Sequence, residues 1–198
     1  MARQGRLKGG MRSGPLVRGG RREAGTRLGD KARERLRAAH ALASDGNHAA
    51  AAAELGELAA IARKRGLHRI AVHLGTRSAA QSARGGDLPA VTATAALAIQ
   101  DAKADGDKPR SARAFGRVLN VLRDGEQAEA ADALAAQVRE GLGVAAKAAK
   151  EGPTVNRAMR RTLPKSCPTC SVRVSADAVD FNDDGSVDCG VCGGVLKG

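Results

Sequence analysis

The chain has 198 residues, with 33 Lys and Arg against 21 Asp and Glu, a net charge of +12, and only Phe115 and Phe181 as aromatics. That length suits one ordinary domain plus a small appendage. No apolar run approaches the roughly 18 residues of a membrane-spanning helix, no secretory h-region opens the chain, and an Ala- and Leu-rich sequence without strand-like runs is expected to pack helices.

Residues 1–29 are rich in Gly and Arg and show no apolar period. Such a segment cannot bury enough surface to offset its chain entropy, which predicts a disordered basic tail. The tail carries Arg3, Arg6, Lys8, Arg12, Arg18, Arg21, Arg22 and Arg27. A phosphate-binding arm for nucleic acid and a merely solvated extension both fit, because charge alone carries no sequence specificity. By segment the net charge is +8 over 1–35, +3 over 36–152, +4 over 153–165 and −3 over 166–198. The basicity therefore sits in the tail and a linker.

From about Asp30 the punctuation becomes periodic. Gly46, Gly66, Gly86, Gly106 and Gly125 fall at steps of 20, 20, 20 and 19. Glycine just past a helix end takes the left-handed conformation that other residues avoid, so these positions read as helix stops. Asn47, Asp87 and Asp107 follow as N-caps, and Pro89 and Pro109 sit in first turns, where a missing N–H does no harm. The pattern predicts six helices near 31–44, 48–65, 67–84, 88–104, 108–123 and 126–141, each with one apolar stripe. Leu67, Ile70, Ala71 and Leu74 form one stripe; Phe115, Val118, Leu119 and Leu122 form another; Leu134, Val138 and Leu142 a third. Residues 143–151 could add a short seventh helix.

Single stripes joined by short turns imply antiparallel hairpins that stack to bury a shared core. The fold expected for 30–152 is mainly α, with three stacked hairpins of about 40 residues. Their inner turns, Gly46-Asn47, Gly86-Asp87 and Gly125-Glu126, resemble the glycine-acid turn of tetratricopeptide repeats. Ala51 and Ala130 stand where that family places a small residue. The period of 40 instead of 34, the missing aromatics and Val91 in the second hairpin depart from the family pattern, and an unrelated helical bundle is the alternative. What the resemblance implies is an α-solenoid that holds a protein partner in its groove.

Residues 153–165 carry Arg157, Arg160, Arg161 and Lys165 without an acid, forming a basic linker that Pro164 ends. The linker has few apolar residues, which predicts a C-terminal module that does not depend on the helices. That module, 166–198, holds all four cysteines as Cys167-Pro168-Thr169-Cys170 and Cys189-Gly190-Val191-Cys192, with 18 residues between the pairs. Each CxxC turn wraps two thiolates around one side of a metal ion, and two turns complete a tetrahedral sulfur shell. The segment resembles the zinc ribbon family, which implies one structural Zn²⁺ on Cys167, Cys170, Cys189 and Cys192 in a small β fold. Gly190, Gly193 and Gly194 suit a tight second turn that aims N–H groups at sulfur. Val172, Val174, Val179, Phe181 and Val187 are expected to form the sheet.

Other candidates are weaker. Asp180-Phe181-Asn182-Asp183-Asp184-Gly185 opens like a calcium loop, but Val191 stands where a bidentate Glu is needed, and a hairpin turn explains Asp184-Gly185 without an ion. His40, His48, His68 and His73 lack partners at ligand spacing. No catalytic base, nucleophile or nucleotide loop is recognisable, so no enzyme is expected. The expected function is a non-catalytic, cytoplasmic zinc-binding scaffold with a protein partner; the alternative is a nucleic-acid-binding accessory protein using tail, linker and ribbon.

Overall fold

The computed structural model describes residues 29–144, 163–168, 170–174, 179–181, 187–189, 192 and 194–196. The expected disordered tail up to residue 28, the seventh helix beyond Val144, the basic linker up to residue 162 and the calcium-like turn at 182–186 lie outside these residues. The chain is mainly helical. Its six described helices are α1 (Asp30–Ser44), α2 (His48–Lys64), α3 (His68–Arg84), α4 (Leu88–Asp105), α5 (Lys108–Asp124) and α6 (Ala128–Leu142). Three short strands follow: β1 (Val179–Phe181), β2 (Val187–Cys189) and β3 (Val195–Leu196). None of the described helices is long and apolar enough to cross a membrane.

The five turns between helices are variants of one design. Asn47, Leu67, Asp87, Asp107 and Gln127 precede the next helix with φ between −80° and −103° and ψ between 49° and 78°. Asn47, Asp87 and Asp107 accept hydrogen bonds from the N–H groups of Ala50, Ala90 and Arg110, as expected of N-caps. The residue before each cap is left-handed: Gly46, Gly66, Gly86 and Gly106 have φ between 71° and 84°. At the fifth turn the expectation fails. Gly125 has φ −89°, and Glu126 takes the left-handed position at φ 60°. The left-handed positions thus recur every 20 residues throughout, and the chain keeps that backbone period even where a non-glycine must occupy it.

The single-stripe expectation also fails for α3. Every residue from Ile70 to Ala83 except Arg77 is buried. The helix packs on α2, α4 and α5. Its small residues permit that approach: a Cβ on Gly75 would lie 3.2 Å from Ala98 Cβ, and Ser78 Oγ donates to Ala52 O at 2.7 Å. Thr76 Oγ1 donates to His73 O at 3.1 Å. These bonds satisfy hydroxyls that would otherwise be costly inside. Leu67 is the N-cap residue of α3, and it packs against the cluster that holds Ile70, Ala71 and Leu74. The stripes of α5 and α6 are buried as expected, with Phe115, Val118, Leu119, Leu122, Leu134, Val138 and Leu142 all in the core.

Two apolar clusters result. One joins Val72, Ala79, Ala80 and Ala83 of α3 to α4, α5 and α6. The other joins Leu36, Ala39, Leu55, Leu58, Ile70, Ala71 and Leu74 to Cys167, Cys170, Val187, Cys189, Cys192 and Leu196. Residues of the C-terminal segment thus share an apolar cluster with α1, α2 and α3, a contact that the linker's composition did not predict. Val172, Val174 and Val179 of the module and Leu163 of the linker pack against the edge of this cluster.

Candidate metal centre

The C-terminal segment brings its two cysteine pairs together by two backbone devices. In the first, Cys167 N–H donates to Val172 O at 2.8 Å, Ser171 N–H to Cys167 O at 2.8 Å and Val174 N–H to Lys165 O at 3.0 Å. Ser171 adopts φ 60° to close this loop, and Ser166 bridges Arg173 across it. In the second, an antiparallel sheet of order β1-β2-β3 pairs Val179 with Cys189 and Val187 with Leu196. Cys189 N–H donates to Gly194 O at 2.8 Å, and Gly194 N–H donates to Cys192 Sγ at 3.4 Å. This last bond is the expected glycine donor to a sulfur, and it offsets thiolate charge. Val179, Phe181 and Val187 lie in strands as expected. Val172 and Val174 flank the first loop instead, and β3 was not foreseen because two residues are too few to show a period.

All four cysteines are buried and unpaired as disulfides. Their Sγ atoms lie within 4.8 Å of one another. Cys167 and Cys192 are 3.7 Å apart, and Cys170 and Cys189 are 3.8 Å apart. Four Zn–S bonds of about 2.3 Å in a tetrahedron place the sulfurs about 3.8 Å from each other. These two separations match a tetrahedral sulfur shell, and none of the four cysteines is in a disulfide. This group can hold a metal ion. Among the described residues it is the one such group of His, Cys, Asp or Glu.

Packed this closely, the four sulfurs cannot all ionise alone. Hydrogen bonding with Cys170 holds the Cys167 thiol well below its ordinary value, and hydrogen bonding with Cys167 pushes Cys170 and Cys192 above theirs. A divalent cation would remove that difference, since it deprotonates every thiol that ligates it.

Beside the cluster lie two residues that spacing alone did not single out. Arg77 of α3 donates from Nη2 to His40 Nε2 at 2.8 Å, and its distance to Nδ1 is 3.3 Å. Burial pushes Arg77 down to about 10, with the charge of Arg117 acting in the same direction, while Cys189, Cys192 and Cys170 pull it back up. Burial, and then the charge of Arg77, push His40 down to about 4, so it is neutral and accepts from the guanidinium. A signal for Arg77 did exist: it is the only charged residue between Ile70 and Ala83.

None of the histidines joins the sulfur group. His48 Nδ1 lies 2.9 Å from Gln81 Oε1, His68 Nδ1 lies 3.4 Å from Asp101 Oδ1, and His73 is buried in α3. Comparison with known proteins gives no match to any protein-family model, curated protein or solved structure.

Proposed function

We propose that this chain is a non-catalytic zinc-binding scaffold in which one structural Zn²⁺, on Cys167, Cys170, Cys189 and Cys192, completes a zinc-ribbon-like module. The observation that carries this reading is the sulfur geometry: four buried Sγ atoms within 4.8 Å of one another, with the Cys167–Cys192 and Cys170–Cys189 separations at the value a tetrahedral shell needs. Four cysteine ligands fill the coordination shell and leave no position for a catalytic water. On this reading the six helices form three hairpins of a tetratricopeptide-like array, a proposal supported by the 20-residue recurrence of the turn.

The partner on this reading is a protein. The cysteine module covers the faces of α1, α2 and α3, while a shallow groove between α4 and α6 stays open, lined by Leu88, Val91, Thr92, Ala130 and Leu134. Elemental analysis of the purified chain tests the metal, with one zinc per chain expected and its loss in Cys189→Ser. Affinity capture with and without nuclease tests the partner. A protein retained after nuclease supports the scaffold; retention of nothing but nucleic acid supports the alternative role of the basic segments.

A further inference from the structure

The turns between helices sort by charge as well as by backbone. Short turns make successive helices antiparallel, and three contacts agree: Arg35 with Glu54 and Glu57, Ser78 with Ala52, and Gly75 with Ala98. One end of the array therefore holds the starts of α1, α3 and α5 with the ends of α2, α4 and α6. The opposite end holds the turns within the hairpins, where exposed Asp45, Asp87, Asp124, Glu126 and Glu129 outnumber Arg84 and Arg123. At the first end the exposed side chains are mostly cations: Lys31, Lys64, Arg65, Lys103 and Lys108, while Arg139 and Glu140 offset each other.

The other acids of this end are engaged locally. Asp101 accepts from Arg63, Asp105 lies 3.7 Å from Arg69, and Asp30 lies 3.1 Å from Arg33. Asp107 caps α5 through the N–H of Arg110. The pairs of Asp101 and Asp105 also tie the end of α2 and the start of α3 to the end of α4. The turn with Lys64 and Arg65 thus stands beside the turn flanked by Lys103 and Lys108. The chain enters α1 at this same end, directly after the basic residues 1–28.

Exposed cations on a rigid body suit a polyanion. Nucleic acid offers a regular row of phosphates, and each cation that meets one releases condensed counterions. A lipid surface is the poorer match, because firm membrane attachment needs buried apolar area besides charge. Among the described residues the exposed large apolar side chain is Leu97, in the middle of α4 and not at this end.

We propose that this end of the helical array is a docking surface for the phosphate backbone of nucleic acid. Lys64, Arg65, Lys103 and Lys108 make the contacts, and residues 1–28 extend the charged track. The surface goes beyond the scaffold reading and does not depend on bound zinc. It puts nucleic-acid contact on the folded helices, where a net charge of only +3 over residues 36–152 conceals the difference between the two ends. Contacts to phosphate position the chain and carry no sequence preference.

The test titrates full-length, zinc-saturated protein against a short fluorescent duplex DNA at several salt concentrations. One variant carries Lys64→Gln, Arg65→Gln, Lys103→Gln and Lys108→Gln; a control carries Arg84→Gln and Arg123→Gln at the opposite end. We expect the four-site variant to lose about one unit of the salt slope for each phosphate contact removed. It should also bind about 10-fold or more weakly at low salt, with the control near wild type. An unchanged slope in the four-site variant would leave all binding to the tail and overturn the proposal, as would an equal loss per charge in the control. Wild-type protein that ignores DNA, or binds only vesicles of anionic phospholipid, overturns it too. If circular dichroism shows the four-site variant misfolded, Lys64→Gln and Lys103→Gln are measured singly. A loss of about one unit in each upholds the proposal, and no loss in either overturns it. Zinc content, measured separately, decides the metal reading whatever the DNA result.

Discussion

Asp101 of α4 takes Arg63 of α2 in a two-point grip, with Nε 2.9 Å from Oδ1 and Nη2 2.8 Å from Oδ2. The two partners are unequally placed: the Asp101 side chain is 2% exposed and that of Arg63 30%. Removing the arginine leaves a buried carboxylate with only the distant His68 Nδ1, at 3.4 Å, beside it, whereas removing the carboxylate charge lets Arg63 turn toward solvent. Arg63→Met should therefore cost about 3 kcal/mol, and Asp101→Asn only about 1 kcal/mol. Urea unfolding measures both, and a larger loss for Asp101→Asn would contradict this account of the pair.

The fifth turn can be improved. Glu126 holds a left-handed backbone at φ 60°, where the equivalent turns have glycine. A non-glycine residue there costs about 1 kcal/mol, so Glu126→Gly should stabilise the protein by about 0.5 kcal/mol after the extra chain entropy of glycine is counted. Gln127 caps nothing with its side chain, and its Oε1 is buried without a partner. Gln127→Asp copies Asp87 and should add about 1 kcal/mol. Thermal melts of the single and double variants check both values, and a destabilised Glu126→Gly would show that its side chain has a role the backbone does not reveal.

Acid should weaken the fold through His40. Its folded value of about 4 lies below the ordinary 6.5, so the folded state disfavours the proton that the unfolded chain accepts. The stability this contributes is present above pH 6.5 and is lost as pH falls toward 4. Partial exposure of the ring limits the effect to about 1 kcal/mol. With zinc saturating, His40→Gln should show a flatter stability profile than wild type between pH 6.5 and 4. Parallel profiles would mean that the ring is not held neutral.

Much of the helical architecture is legible because each turn has its own local chemistry. Asn47, Asp87 and Asp107 announce helix starts by side-chain capping, and the helices begin within two residues of where those signals place them. Glu126 was misread because the neighbouring Gly125 carries the stronger intrinsic preference for the left-handed region, while the 20-residue packing period decides the matter. The burial of α3 was not legible, since Ser78 and Gln81 look like a solvated face until their partners on α2, Ala52 and His48, are known. The sulfur group is the reverse case. Its ligand spacing is written in two CxxC turns, but the seating of those turns on Leu36, Leu55 and Leu74 is a long-range contact without a local signature.

That shared cluster changes what metal removal should do. If the module stood alone, a chelator would leave the helices untouched. Because Cys167, Cys170, Val187 and Leu196 pack with residues of α1, α2 and α3, chelation should lower the melting temperature of the helical signal by several degrees as well as release the module. An unchanged helical melt would show that the apolar contact adds little to stability.

The central claim is that four cysteines hold one zinc in an all-sulfur shell. X-ray absorption at the zinc edge on purified full-length protein, combined with metal quantification, tests it directly. The account predicts one zinc per chain with four sulfur neighbours at about 2.3 Å. A shell containing nitrogen or oxygen, or a protein whose four thiols all react freely without metal present, would contradict it.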